Sequence, residues 1–284
     1  MQMPGASNKN LLQKILPAAL ALLFLLPNFF SKDVNPDLPY SHKEKFDRAL
    51  SCINSVSLLE SYTDSIAASK HIAEGSYEYA ELLESIIEQR FYHGFSHFTP
   101  AENWIAAFAG KFIKEDYACK VQPEKIIQHA NAACSQQALV MMQVLRDKKL
   151  NYRSLGFPHH YAMEVLINKE WYFFDANMEP VITKEQRMLG NWKHRNDNLK
   201  QYYDAGRCTD LNYQFGNNLT ATIGAINEVP AQKAKYFHII TGMLSKIAWL
   251  FPLIFIFYRN GFFVEAPFVS LLIKKKKPNL SLSV

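Results

Sequence analysis

The chain has little of what usually holds small extracytoplasmic domains or metal sites together. Only four of its 284 residues are cysteine, and no CxxC pair or His–Cys spacing builds a zinc site. A metal held by Cys134, His160 and Asp175 is chemically possible but is the weaker reading of those residues, and no cofactor is expected. No basic run is interleaved with aromatics, so the net charge of +5 does not point to nucleic acid. Part of that charge is the lysine run at 274–277. There are no internal repeats. Residues 43–92 have no proline and a single glycine, which leaves room for two helices with spacing in Leu50, Ile53, Leu58 and Leu59, then Tyr79, Leu82, Leu83 and Ile86.

Long uninterrupted hydrophobic runs are also missing. Residues 11–30 are about long enough to cross a bilayer but contain Lys14, Pro17 and Pro27. Lys9 and Lys14 ahead of the apolar stretch place residues 1–10 in the cytoplasm and make 11–30 a transmembrane signal anchor. A cleaved signal peptide is the rival reading. Ile247 to Tyr258 is only twelve residues, so 237–258 reads as a second transmembrane or membrane-associated helix, with a buried or interfacial helix as the alternative. The basic tail 259–284 then lies inside, or touches anionic lipid, and the domain between the two segments is extracytoplasmic. Residues 31–42 are a linker, and 184–236 form a polar, Asn-rich irregular extension.

Against that background one set of residues carries chemistry. Ser135 to Lys149 has neither glycine nor proline, and Ala138, Met141, Met142 and Leu145 fall at i, i+3, i+4, i+7. That is an amphipathic helix with one buried face, and Cys134 heads it. Unsatisfied N–H groups and the positive end of the dipole favour a thiolate there. Taken alone, Cys134 reads equally as a small buried hydrophobe.

His160 and Asp175 change that. His160–Ile167 and Glu170–Asp175 are rich in β-branched and aromatic residues and are separated by Asn168-Lys169, a hairpin signal. A two-residue turn pairs Val165 with Tyr172, Met163 with Phe174, and Ala162 with Asp175. His160 and Asp175 become diagonal neighbours on one face, and a slip of one residue would part them. A thiol, an imidazole and a carboxylate are the parts of a cysteine-nucleophile site.

These residues, with "NYRSLG" at 151–156, "HYAMEV" at 160–165 and "WYFFD" at 171–175, resemble the transglutaminase-like superfamily of cysteine enzymes. The resemblance covers about residues 100 to 180 and reproduces the spacings from His160 to Glu164 and from Trp171 to Asp175, with Arg153 at a position where the family often carries arginine. Ala132-Ala133-Cys134-Ser135 departs from the glycine before the cysteine and the aromatic after it that are common in the family. The resemblance implies an α+β fold with a papain/transglutaminase-like core over 99–183, flanked by a helical region over 43–98 and by membrane segments at both ends.

It also implies acyl transfer on an amide of a protein or peptide substrate, through a thioester that water or an amine resolves. His160 would activate Cys134 and Asp175 would orient His160. The backbone N–H of Cys134 is the first expected oxyanion donor. Trp104, Gln122 and Gln128 are candidates for the second, and Glu164, on the His160 face, is a candidate supporting partner or a solvated carboxylate. His159 is expected to point away from His160. The alternative to an enzyme is an inactive transglutaminase-like module that binds peptide or glycan in a surface assembly. With Cys134 set aside, Cys52, Cys119 and Cys208 remain, and Cys119–Cys208 is the favoured bridge. The helix from 101 to about 114 begins at Thr99-Pro100, and its Trp104, Ile105, Phe108 and Phe112 are expected in the core.

Overall fold

The computed structural model describes residues 6–30, 44–188, 202–203, 211–216 and 221–259. The linker at 31–42, the tail beyond Arg259 and Cys208 lie outside the described residues. The fold is α+β, with nine α-helices and a four-stranded antiparallel sheet among the described residues. The helices are α1 (Ala6–Leu25), α2 (Val56–Ser69), α3 (Tyr77–Arg90), α4 (Pro100–Phe112), α5 (Pro123–Ile126), α6 (Cys134–Asp147), α7 (Leu211–Phe215), α8 (Gln232–Ile247) and α9 (Leu250–Arg259). The strands are β1 (Tyr152–Gly156), β2 (Tyr161–Ile167), β3 (Glu170–Phe174) and β4 (Thr222–Ile223), in the order β3-β2-β1-β4.

Local chemistry starts the helices. Ser55 Oγ accepts from Leu58 N at 3.2 Å at the head of α2, and Ser76 Oγ accepts from Tyr79 N at 3.1 Å at the head of α3. At α4, the Glu102 carboxylate reaches back to Thr99 N at 2.9 Å, with Pro100 at the first helical position. The hairpin turn is made by Asn168 and Lys169, both at positive φ (52° and 70°), which is the two-residue turn whose twist matches paired strands. It sets Val165 opposite Tyr172 and Met163 opposite Phe174, the register the turn position predicts.

That register decides which sheet face is buried under helices. Tyr152, Met163, Val165, Ile167, Tyr172 and Phe174 share one core with Val140, Met141, Val144 and Leu145 of α6 and Leu83, Ile86 and Ile87 of α3. Met141 is fully buried there, and Met141→Ala would cost about 2–5 kcal/mol. Leu155, Ala162 and Phe173 form a smaller cluster on the other face.

One expectation about the flanking helices is corrected. Phe108 and Phe112 are exposed rather than in the core. Among the described residues no single helix is long and apolar enough to cross a membrane, and only α8 and α9 together, bent by 54°, pass on length and composition. Pro252 sits in the first turn of α9, where a missing N–H costs nothing. The bend falls at Ala248–Trp249, between the two helices.

Candidate functional site

Cys134 is the first residue of α6, with Ala133 extended ahead of it (φ −72°, ψ 165°). No residue four back in the helix accepts from an amide at this position, so the thiol sits among first-turn donors. The helix start is fixed by Gln136. Its Oε1 accepts from Ser96 N at 2.8 Å and from Ala133 N at 3.2 Å, and its Nε2 donates to Ser96 O at 2.9 Å and Lys120 O at 2.8 Å. Gln137 Nε2 donates to Ala132 O at 2.8 Å. Ala132 and Ala133 are buried and Cys134 is half-buried. Such a clamp on the first turn holds the thiol in one place.

His160 ends the bend before β2 and Asp175 follows β3, so the hairpin brings them together. Their Nε2–Oδ2 distance is 2.6 Å and both are buried. That bond engages Nε2 and leaves Nδ1 as the other ring nitrogen, and the Cys134 thiol is among the groups near enough to act on the ring. Burial alone would lower the pKa of His160. Asp175 and then Cys134 outweigh it and push His160 up to about 10. Phe215 packs on His160 with ring centroids 4.9 Å apart, and Phe157 lies on it at 6.3 Å.

Asp175 is itself held. Tyr203 Oη donates to its Oδ2 at 2.8 Å, and its Oδ1 accepts from Asn177 N and Met178 N, each at 3.2 Å. Its own N–H donates to the buried Glu84 at 2.5 Å, and Glu84 pairs with the buried Arg187 at 3.1 Å. Burial pushes the Glu84 carboxyl well above the usual carboxylate range, against the pull of Arg187. Burial, with Asp175 beside it, raises the Tyr203 phenol as well.

The remaining sequence candidates fall elsewhere. The Trp104 indole N–H donates to Ser245 O at 3.1 Å, on α8. Gln122 lines a cavity of about 230 Å³ with Leu139, Met142 and Arg146, along the middle of α6. Gln128 is half-buried in the turn after α5, between the buried Ile127 and His129. Glu164 accepts from Arg153 Nε at 2.5 Å, and Arg153 stacks over the Trp171 ring at 4.2 Å. His159 is exposed, turned from His160 and stacked on Tyr213 at 3.9 Å. Cys119 is buried and makes no disulfide with another described cysteine. Burial and the acids Glu115 and Asp116 push its thiol up to about 12, the opposite of a reactive cysteine.

Sequence reasoning missed Gln136, Glu84, Arg187 and Tyr203. Gln136 had a local signal, being the third helical residue after the cap, where glutamine reaches back to the capping amide. The other three had none.

A second cavity, of about 140 Å³, opens between Phe91 and His93 on one side and Asn177, Met178 and Gln214 on the other. His93 Nδ1 and Asn177 Oδ1 are 3.1 Å apart across it. Among the described residues no group of three His, Cys, Asp or Glu side chains fits a metal ion. Comparisons with protein-family models, with curated proteins and with solved structures found no match.

Proposed function

We propose that the chain is a cysteine enzyme of the transglutaminase-like, papain-type arrangement, acting on amide bonds of a protein or peptide substrate. The observation that carries this reading is His160, bonded to Asp175 at 2.6 Å and close enough to Cys134 for the thiol to act on its charge. The Cys134 thiolate attacks the amide carbonyl, His160 passes its proton to the departing amine, and a thioester forms. Water or an amine then attacks the thioester, His160 accepts the incoming proton, and the acyl–sulfur bond breaks to return the Cys134 thiolate. The Cys134 amide faces the developing oxyanion. Asp175 orients the ring and balances its charge throughout. The enzyme works at a membrane, attached through α1 and the bent α8–α9 pair, with the catalytic domain extracytoplasmic.

The test is the pH profile of Cys134 alkylation on the full chain, read by mass spectrometry. Reaction is expected to persist well below the free-thiol pKa of about 8.5 and to collapse in His160→Ala. A thiol that titrates like a free one in both proteins overturns the enzyme reading and leaves a peptide- or glycan-binding module.

A further inference from the structure

Helix α8 is patterned inside out. Its polar residues His238, Thr241 and Ser245 are its buried ones, while Ile239, Ile240, Met243 and Ile247 face outward. Ser245 is 1% exposed and Met243 is 65% exposed. Thr241 and Ser245 on the buried side are bonded to α4, while His238 Nε2 bonds to Tyr117 O at 3.0 Å. Asn103 Nδ2 donates to Thr241 Oγ1 at 2.9 Å, Ser245 Oγ donates to Asn103 Oδ1 at 3.0 Å, and the Trp104 indole reaches Ser245 O. Asn103 leaves helical geometry (φ −156°, ψ 83°) to make these bonds. A helix that solvates in water would turn the other way. Polar groups bonded between helices and apolar side chains outward is the arrangement that suits hydrocarbon.

Exposed apolar side chains also stand on α1, α4 and α9. Helix α4 packs on α8, and α1 packs on α9. Phe24 of α1 stacks on Trp104 at 5.4 Å. Lys246, at the seam, donates to Asn28 at 3.1 Å and to Ala101 O at 2.7 Å. Outward stand Leu22 and Leu23 of α1, and Phe251, Ile254 and Phe255 of α9. Helix α4 ends at Lys111-Phe112 and is followed by Ile113-Lys114, with Phe112 62% exposed and Lys111 Nζ over its ring at 5.7 Å. Aromatic residues between lysines mark a helix end at the boundary of a bilayer, where apolar stems sink and ammonium groups stay wet.

We propose that the Phe108–Ile113 end of α4 enters the same lipid surface as α8, α9 and α1, so that the catalytic core itself sits on the bilayer. This goes beyond attachment by the terminal segments, because α4 is tied through Lys120 to Gln136 of α6. The buried Lys120 Nζ is bonded to Glu102 of α4 at 2.8 Å, and Lys120 O accepts from Gln136 beside the thiol. The occupant of the surface is a lipid bilayer.

The test uses the full chain in phosphatidylcholine vesicles containing some phosphatidylglycerol. The photoreactive residue p-benzoylphenylalanine is placed in turn at Phe108, Phe112, Ile254 and, as a control on α2, Tyr62. Irradiation followed by mass spectrometry is expected to give lipid adducts at Phe108, Phe112 and Ile254 and none at Tyr62. Adducts at Ile254 without adducts at either α4 position overturn the inference and leave the attachment reading standing. Cross-links between two copies at Phe108 or Phe112 overturn it in favour of self-association, and equal labelling at Tyr62 overturns it as non-specific contact. None of these readouts depends on activity, so an inert Cys134 would not change them.

Discussion

The phenol of Tyr203 donates to Asp175 Oδ2, the same oxygen that receives the His160 ring N–H. Two donors on one carboxylate oxygen hold the acid in place and share its charge. Tyr203 touches no reacting atom, so it is a positioning residue.

Tyr203→Phe should therefore lower stability by about 1 kcal/mol, the net value of a hydrogen bond, and leave Cys134 alkylation below neutral pH within about twofold of wild type. His160→Ala should abolish that reactivity. Denaturant titration and alkylation kinetics on both variants check this. A loss in Tyr203→Phe as deep as in His160→Ala would mean that the phenol, not the imidazole, arms the thiol.

The raised pKa of His160 makes a prediction about stability. The folded value, about 10, lies above the unfolded value, about 6.5, so the folded state binds the proton more tightly. The stabilisation is fully present below about pH 6.5, on the order of a few kcal/mol, and disappears as pH rises toward 10. Urea titrations of wild type and His160→Ala should thus show a gap that narrows from about pH 6 to about pH 9.5. A gap that widens over this range contradicts the ion-pair assignment.

Arg187 donates to a buried acid and to Phe173 O. Arg187→Met should cost about 1–3 kcal/mol, because Glu84 and Phe173 O lose a buried donor. Glu84→Gln added to it should recover part of that loss. The double-mutant cycle measures the coupling, and simple additivity of the two losses would refute it.

The turn offers a gain. Lys169 holds φ at 70°, which costs a side chain about 1–2 kcal/mol that glycine does not feel, partly offset by the greater freedom of glycine when unfolded. Lys169→Gly should raise the thermal midpoint by a few degrees while Asn168 keeps the register. A lower midpoint would show that the lysine side chain contributes more than its backbone costs.

Much of the site was legible because it is local. The absence of glycine and proline after Cys134 marked α6, and the two-residue turn fixed the partners of β2 and β3. What surrounds Asp175 was not legible. Glu84 lies 91 residues before the amide it receives, and nothing near Glu84, Arg187 or Tyr203 in the chain distinguishes them from solvated residues. Phe108 and Phe112 show the opposite failure. Helical spacing says that one face is apolar and is silent on what covers it.

The order in which the carboxylate gains its partners has a consequence during synthesis. The hairpin pairs His160 with Asp175 across 15 residues, so imidazole and acid meet early. The phenol arrives 28 residues after Asp175. A nascent chain that ends before Tyr203 has the imidazole–acid pair without its last restraint, so completion of the polar segment sets when Asp175 gains its full set of donors.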